Sequence, residues 1–297
     1  DPFELTQKQD KLYGRGTCDM KGFSAIALSL VSEMKSLKKP IHLALSYDEE
    51  IGCLGAPRLI NQIKEQIPKP EAVIVGEPSM MEAVTAHKGI GAFRTVVTGY
   101  EAHSSQTHRG VSAVMTAAKL INWLSEREAR FRDATPTNNG FLPHHTTVHS
   151  GVVHGGTALN IISRQCEFLW DVRVIPGENA LSVFEEFQAF CQEVILPKMR
   201  SVHQDSDIQT TILADTPPLQ EVADSPALKL AQDLAGSTVR SRVAYAAEAG
   251  QFQEAGFPTV ICGPGSIDQA HQPNEFISID QMEQGEKFLR KLIQRLS

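Results

Sequence analysis

The stretch Leu12-Tyr-Gly-Arg-Gly-Thr-Cys-Asp-Met-Lys-Gly-Phe23 decides how the rest of the chain is read. It has the form of a strand end, a glycine-bracketed turn and one carboxylate, Asp19, just ahead of a helix. The glycines allow tight or left-handed backbone without a Cβ penalty. An Asp in that place is ordinarily a helix N-cap. Three further clusters give it another meaning: Asp48-Glu49-Glu50, Gly76-Glu77-Pro78 and Ala270-His271-Gln272-Pro273. Each follows an apolar run of parallel-strand character.

Working outward, residues 12–87 alternate strand and helix. Helical spacing runs from Met20 to Lys35, a β-type run from Ile41 to Tyr47, a helix from Pro57 to Gln66 and a buried strand from Ala72 to Val75. Val- and Ile-rich strands separated by helices predict a mainly parallel sheet covered on both faces. From about His87 the order becomes βαββαβ, the ferredoxin-like split arrangement. After Pro217-Pro218 the strand–helix alternation resumes. The expected architecture is therefore an α/β catalytic domain of residues 1–87 and 215–297, with an α+β domain of residues 88–214 inserted into it.

Composition narrows the function. The chain has 297 residues, 41% of them hydrophobic, with a net charge of −7 and no basic run longer than Lys38-Lys39. That balance argues against nucleic acid or an anionic membrane as partner. No apolar stretch is long enough to span a bilayer. The five cysteines are widely spaced and lack a Cys-x-x-Cys pair. They read as reduced cysteines of a cytoplasmic protein.

In an open α/β sheet, ligands bind beyond the carboxyl ends of the strands. Loops carrying Asp19, Glu49-Glu50, Glu77 and His271 can converge there although they lie far apart in sequence. Three carboxylates and an imidazole form a mixed donor set suited to Zn²⁺ or Co²⁺. Neighbouring residues of a regular strand point to opposite faces, so Glu49 and Glu50 reach one site only where the strand has ended. One can then bind metal while the other deprotonates a water. His144, His145, His149 and His154 are too scattered around one predicted strand to favour a second cluster, and no Gly-x-Ser-x-Gly elbow exists.

With these residues in hand, the chain resembles the M20 family of metallohydrolases. The resemblance rests on Gly14–Gly22, Asp48-Glu-Glu50, Val75-Gly-Glu-Pro78, Ala86-His-Lys-Gly89, Ala102-His-Ser-Ser105 and Gly263–Pro273. Ser266-Ile-Asp-Gln-Ala-His-Gln-Pro273 points to the branch that deacetylates N-acetyl-L-ornithine in arginine biosynthesis. The resemblance implies two divalent metal ions, Zn²⁺ or Co²⁺, bridged by Asp19. Glu50 and His271 would complete one site, Glu77 would serve the other, and Glu49 would be the general base. It further implies a homodimer formed through the inserted domain, with His103 stabilising the oxyanion in the partner subunit's site. Asn160 and Arg173 would hold the substrate carbonyl and carboxylate. Glu248 would face the ammonium end of the substrate, unless it only supports helix entry. The Asp19–Met20 peptide is expected to be cis. An M20 dipeptidase and a non-catalytic, dimer-forming homologue are the alternative readings. The family's N-terminal His-x-Asp motif is not found ahead of Asp1, so the chain is expected to be incomplete at its N-terminus and short of one metal ligand.

Overall fold

The computed structural model describes residues 1–297. The chain opens with strands β1 (Thr6–Lys8) and β2 (Lys11–Tyr13), followed by helices α1 (Lys21–Ser29) and α2 (Ala56–Gln66) and strands β3 (Val73–Val75) and β4 (Ala83–His87). A continuous block follows: β5 (Gly89–Thr98), α3 (Ala113–Ala134), β6 (Thr147–Gly155), β7 (Gln165–Val174), α4 (Ala180–Phe190), α5 (Leu196–Arg200) and β8 (Asp207–Thr216). The chain closes with α6 (Pro226–Ala235), β9 (Arg240–Val243), α7 (Ala249–Glu254), β10 (Thr259–Ile261), β11 (Phe276–Ser278) and α8 (Ile279–Leu296). No helix is long and apolar enough to cross a membrane.

Three sheets organise these elements. The central one runs β3-β10-β4-β9, and two of its three pairings are parallel. Its faces are covered as the Val/Ile-rich strands require. Phe23, Ile26, Leu228, Leu234, Phe288 and Ile293 pack one side around Val260, and Ile60, Phe252 and Phe257 the other around Val75 and Ile261. The second sheet, β6-β7-β5-β8, is antiparallel throughout and has the ferredoxin-like order. Alternate residues Phe168, Trp170 and Val172 of β7 enter a core closed by α3 and α4, where Phe187 is fully buried. The opposite face of β7, with Asp171 and Arg173, is partly open.

The third sheet, β1-β2-β11, was not anticipated, and it matters most for the site. Antiparallel pairing sets Phe276 opposite Tyr13 and Ile277 opposite Leu12. This register brings the loop that ends at Glu275 against the turn that leads to Asp19.

Two expectations need correction. Residues 41–47 form no strand: they join none of the sheets, and Leu43, Leu45 and Tyr47 are exposed. A β-type run becomes a strand only where a neighbouring edge accepts its backbone hydrogen bonds, and these residues make no such pairing. The helix expected to run from Met20 to Lys35 ends at Ser29 and gives way to one tight turn over Val31–Met34.

His87 joins this frame to the site. Fully buried at the end of β4, it accepts the Gly250 N–H on Nε2 at 3.0 Å, while Nδ1 lies 2.8 Å from the Lys88 carbonyl. Burial pushes the imidazole down to about 4, so it is neutral and fixed in one tautomer. The unfolded chain binds a proton at this residue below about pH 6.5, and the folded chain does not until about pH 4. His87 should therefore contribute stability that is full above that range and lost as the pH falls through it. Urea denaturation at successive pH values should show a shallower acid loss in His87→Gln than in the unsubstituted protein.

Candidate metal centre

Asp19, Glu50 and His271 offer ligand atoms that all lie within 4.8 Å of one another. His271 Nε2 is 2.8 Å from Glu50 Oε2 and 3.4 Å from Asp19 Oδ2. The carboxyls of Asp19 and Glu77 are within hydrogen-bonding reach of each other. Glu77 is buried and Asp19 nearly so, whereas Glu50 and His271 are open to solvent. The group thus has a closed carboxylate floor and an open carboxylate–imidazole rim.

Local geometry explains how each side chain gets there. Glu77 leaves β3 through Gly76, and the adjoining turn after β10 packs directly upon it. A Cβ on Gly263 would come within 2.2 Å of the Gly76 carbonyl, so only glycine fits. His271, Asp48 and Cys53 all have left-handed backbone, with φ of 59°, 55° and 57°. Such conformations are costly for residues with a Cβ and persist where their surroundings enforce them. The Asp19–Met20 peptide is trans, contrary to expectation; the one cis peptide joins Leu142 and Pro143. Asp19 turns toward Glu50 and His271 without that device.

What holds Asp19 is Glu275, which the sequence reading missed. Its buried carboxylate accepts the N–H groups of Gly16 at 2.8 Å, Cys18 at 2.9 Å and Asp19 at 3.1 Å, and pairs with Arg15 at 2.9 Å. Burial alone would raise its pKa, but the Gly16, Asp19, Cys18 and Arg15 donors together hold it below the ordinary range. Asp19 is therefore not an N-cap. No side chain caps α1 at its N-cap residue, Met20.

The other carboxyls are pushed the opposite way. Burial, then the neighbouring Glu50 charge, raises Asp19; burial, then Asp19 and Glu49, raises Glu77 strongly. Glu49 is raised by burial and partly relieved by the Cys53 thiol, which donates to its Oε1 at 3.3 Å. Glu248 is raised by burial and partly relieved by Ser46. It makes no side-chain cap to α7, and its Oε1 has no hydrogen-bond partner. The Tyr245 hydroxyl, beside Glu77 and Asp19, is likewise buried without a partner. This crowd of carboxyls around one imidazole is a donor set for divalent metal, and bound cations would offset the repulsion that raises them.

Six of the nine sequence-derived site residues meet here: Asp19, Glu49, Glu50, Glu77, Glu248 and His271. The other three lie on the inserted block and touch none of these six. His103 is exposed, with Nδ1 2.8 Å from Ser105 Oγ, and its segment pairs with Ile161 beside the exposed Asn160. Arg173 donates to Asp171 at 3.1 Å on the open face of β7. The chain also contains one His-x-Asp, His203-Gln204-Asp205, overlooked in the sequence. It lies between α5 and β8 with His203 stacked on Tyr100, away from the cluster. Of the four scattered histidines, His145 is buried 3.5 Å from Glu128. They form no second metal-type group.

The family described as Peptidase family M20/M25/M40 matches residues 1–295. The chain belongs to the M20 family. It is 31% identical to the acetylornithine deacetylase of Myxococcus xanthus, over 99% of this chain and 74% of that relative. It is 33% identical to the acetylornithine deacetylase of Pasteurella multocida, with the same coverage of both. In fold it is similar to the aminopeptidase PepT of Bacillus cereus, with a TM-score of 0.73 and 19% identity over 99% of this chain and 76% of that one. Membership makes the chain a hydrolase of a family that uses divalent metals.

Truncating Glu275 should disturb this M20 centre from beneath. Glu275→Ala leaves three buried N–H groups unpaired, and stability in urea should fall by at least about 2 kcal/mol. Glu275→Gln, which keeps one acceptor oxygen, should lose less.

Proposed function

We propose that this chain carries the metal centre of an amidohydrolase that removes the acetyl group from N-acetyl-L-ornithine, a step of arginine biosynthesis in the cytoplasm. The observation that carries this reading is the convergence of Asp19, Glu50, Glu77 and His271 with the unligated Glu49 and Glu248 beside them. Similarity to two acetylornithine deacetylases supports the choice of substrate.

In this reading two divalent ions, Zn²⁺ or Co²⁺, would be held by this cluster, with Asp19 serving both. Glu50 and His271 would complete one site and Glu77 would serve the other. When bound, the ions supply Lewis acidity toward the amide carbonyl and lower the pKa of water. Glu49 takes the proton of the attacking water and returns it to the leaving amine. The Cys53 thiol, which donates to Glu49 Oε1, leaves the other carboxylate oxygen of Glu49 free for that transfer. Asn160 and Arg173 orient the carbonyl and carboxylate of the N-acyl amino acid, the Arg fork matching a carboxylate. His103 serves the oxyanion in the site of a partner subunit, in a homodimer joined through the inserted block. This role agrees with its exposure and its distance from the cluster of its own chain.

Glu248 supplies specificity. Its unpartnered Oε1 and the unpartnered Oε1 of buried Gln251 are two acceptors lacking a donor on one helical face. An ammonium group is donor-only, and the far end of ornithine carries one.

Two substitutions separate these roles. Glu49→Gln should keep its Co²⁺ content by metal analysis and lose about 10²–10⁴-fold in kcat. Glu248→Gln should lower kcat/KM for N-acetylornithine about tenfold or more relative to N-acetylmethionine, the effect of one lost charge-assisted bond. Equal loss on both substrates would remove Glu248 from the pocket. Faster turnover of dipeptides than of either acyl-amino acid would replace the deacetylase reading with a peptidase one.

A further inference from the structure

The loop that carries Glu49 and Glu50 is strained: its own turn bonds, from the Gly52 and Cys53 N–H groups to the Glu49 carbonyl and from the Leu54 N–H to the Asp48 carbonyl, close it over left-handed residues. Asp48 and Cys53 are left-handed, Gly52 has φ of 107°, and the stretch leading into the loop belongs to no sheet. Yet the loop must aim two adjacent carboxylates at one centre. Further support comes from β8, the last strand of the inserted block. Thr216 is buried at the end of β8, paired with Ile90 at the start of β5, where the inserted block joins the rest of the chain. The Thr216 hydroxyl donates to the Gly52 carbonyl at 3.1 Å and also lies within hydrogen-bonding reach of the Cys53 thiol. Cys53 Sγ in turn donates to Glu49 Oε1 at 3.3 Å. The Cys53 carbonyl accepts Gln251 Nε2 at 3.2 Å, and a Cβ on Gly52 would meet Ala214 of β8 at 2.4 Å.

We propose that Thr216 and Cys53 are positioning residues for the reaction, Thr216 fixing the strained loop that aims Glu49 and Glu50, and Cys53 orienting the Glu49 carboxylate. The inference rests on the metal-hydrolase reading and extends it to residues that touch neither metal nor substrate. Backbone strain of this kind persists only where surrounding contacts over-determine it. Contacts from the inserted block and α7 add to the loop's own turn bonds, so in this reading the inserted block helps shape the metal centre of its own chain.

The test compares Thr216→Val, which keeps the shape and removes the hydroxyl, with Thr216→Ser, which keeps the hydroxyl. Co²⁺ affinity is read by calorimetry, kcat and KM on N-acetylornithine, and folding by the thermal midpoint. Thr216→Val should weaken Co²⁺ binding about three- to tenfold and lower kcat at least as much, with KM changed less than about twofold. Thr216→Ser should restore both. Unchanged Co²⁺ affinity and kcat in Thr216→Val, or a Ser variant no better than Val, would overturn the role of Thr216. Should Thr216→Val fail to fold, Cys53→Ala decides: kcat should fall while Co²⁺ affinity stays, and an unaltered kcat would overturn the inference. If the unsubstituted chain bound no Co²⁺, the metal reading itself would fall, and this inference with it.

Discussion

A single buried carboxylate, Glu275, underlies the arrangement at the metal centre. It gathers three backbone N–H groups and one guanidinium from the turn at residues 15–19, and so determines where Asp19 points. The antiparallel register of β2 with β11 delivers it there, because Phe276 opposite Tyr13 leaves Glu275 beside Gly14. Burying an ion is expensive unless it is paired and hydrogen-bonded. Here the donors outweigh the burial, as the lowered pKa of Glu275 records. The same β11 pairing anchors the loop that presents His271, so one contact sets two of the proposed ligands.

Around that fixed point the carboxyls are arranged against their own electrostatics. Two carboxylates about 4 Å apart repel by about 4 kcal/mol at an effective dielectric constant of about 20. Asp19, Glu49, Glu50, Glu77 and Glu248 influence one another at close range. The chain sustains this because protons or cations can occupy the space between them. That condition separates the centre from a solvated acidic loop, in which side chains simply turn away from each other. Glu49 and Glu248 are also raised by burial, but each has its own local donor, Cys53 or Ser46.

Much of the fold and most of the cluster were legible in the sequence. Asp19, Glu50, Glu77 and His271 are ligand-type residues in loops following apolar runs; the open central sheet brings together the loops of Glu77 and His271, after β3 and β10, whereas Asp19 arrives from β2 of the small third sheet and Glu50 from a segment in no sheet. The βαββαβ order of the inserted block followed from its periodicity. What escaped notice depends on partners distant in sequence. Glu275 is one acidic residue in a polar loop, and nothing near it in sequence reveals the three N–H groups it serves. The β-type pattern of residues 41–47 suggested a strand, but a pattern carries no information about a free edge. Nothing in the sequence around Thr216 or Cys53 links them to the Glu49–Glu50 loop, because the contact is made only when β8 packs against it.

The central claim is that the crowded carboxyls are a metal site rather than a structural acid cluster. Calorimetric titration with Zn²⁺ in two buffers of different ionisation enthalpy tests it most directly. At an acidic pH where part of these raised carboxyls is protonated, a dication must displace those protons to bind. The account predicts buffer-dependent heats showing net proton release, and loss of the tight binding in His271→Ala. Heats independent of the buffer, or Zn²⁺ binding that survives His271→Ala unchanged, would contradict it.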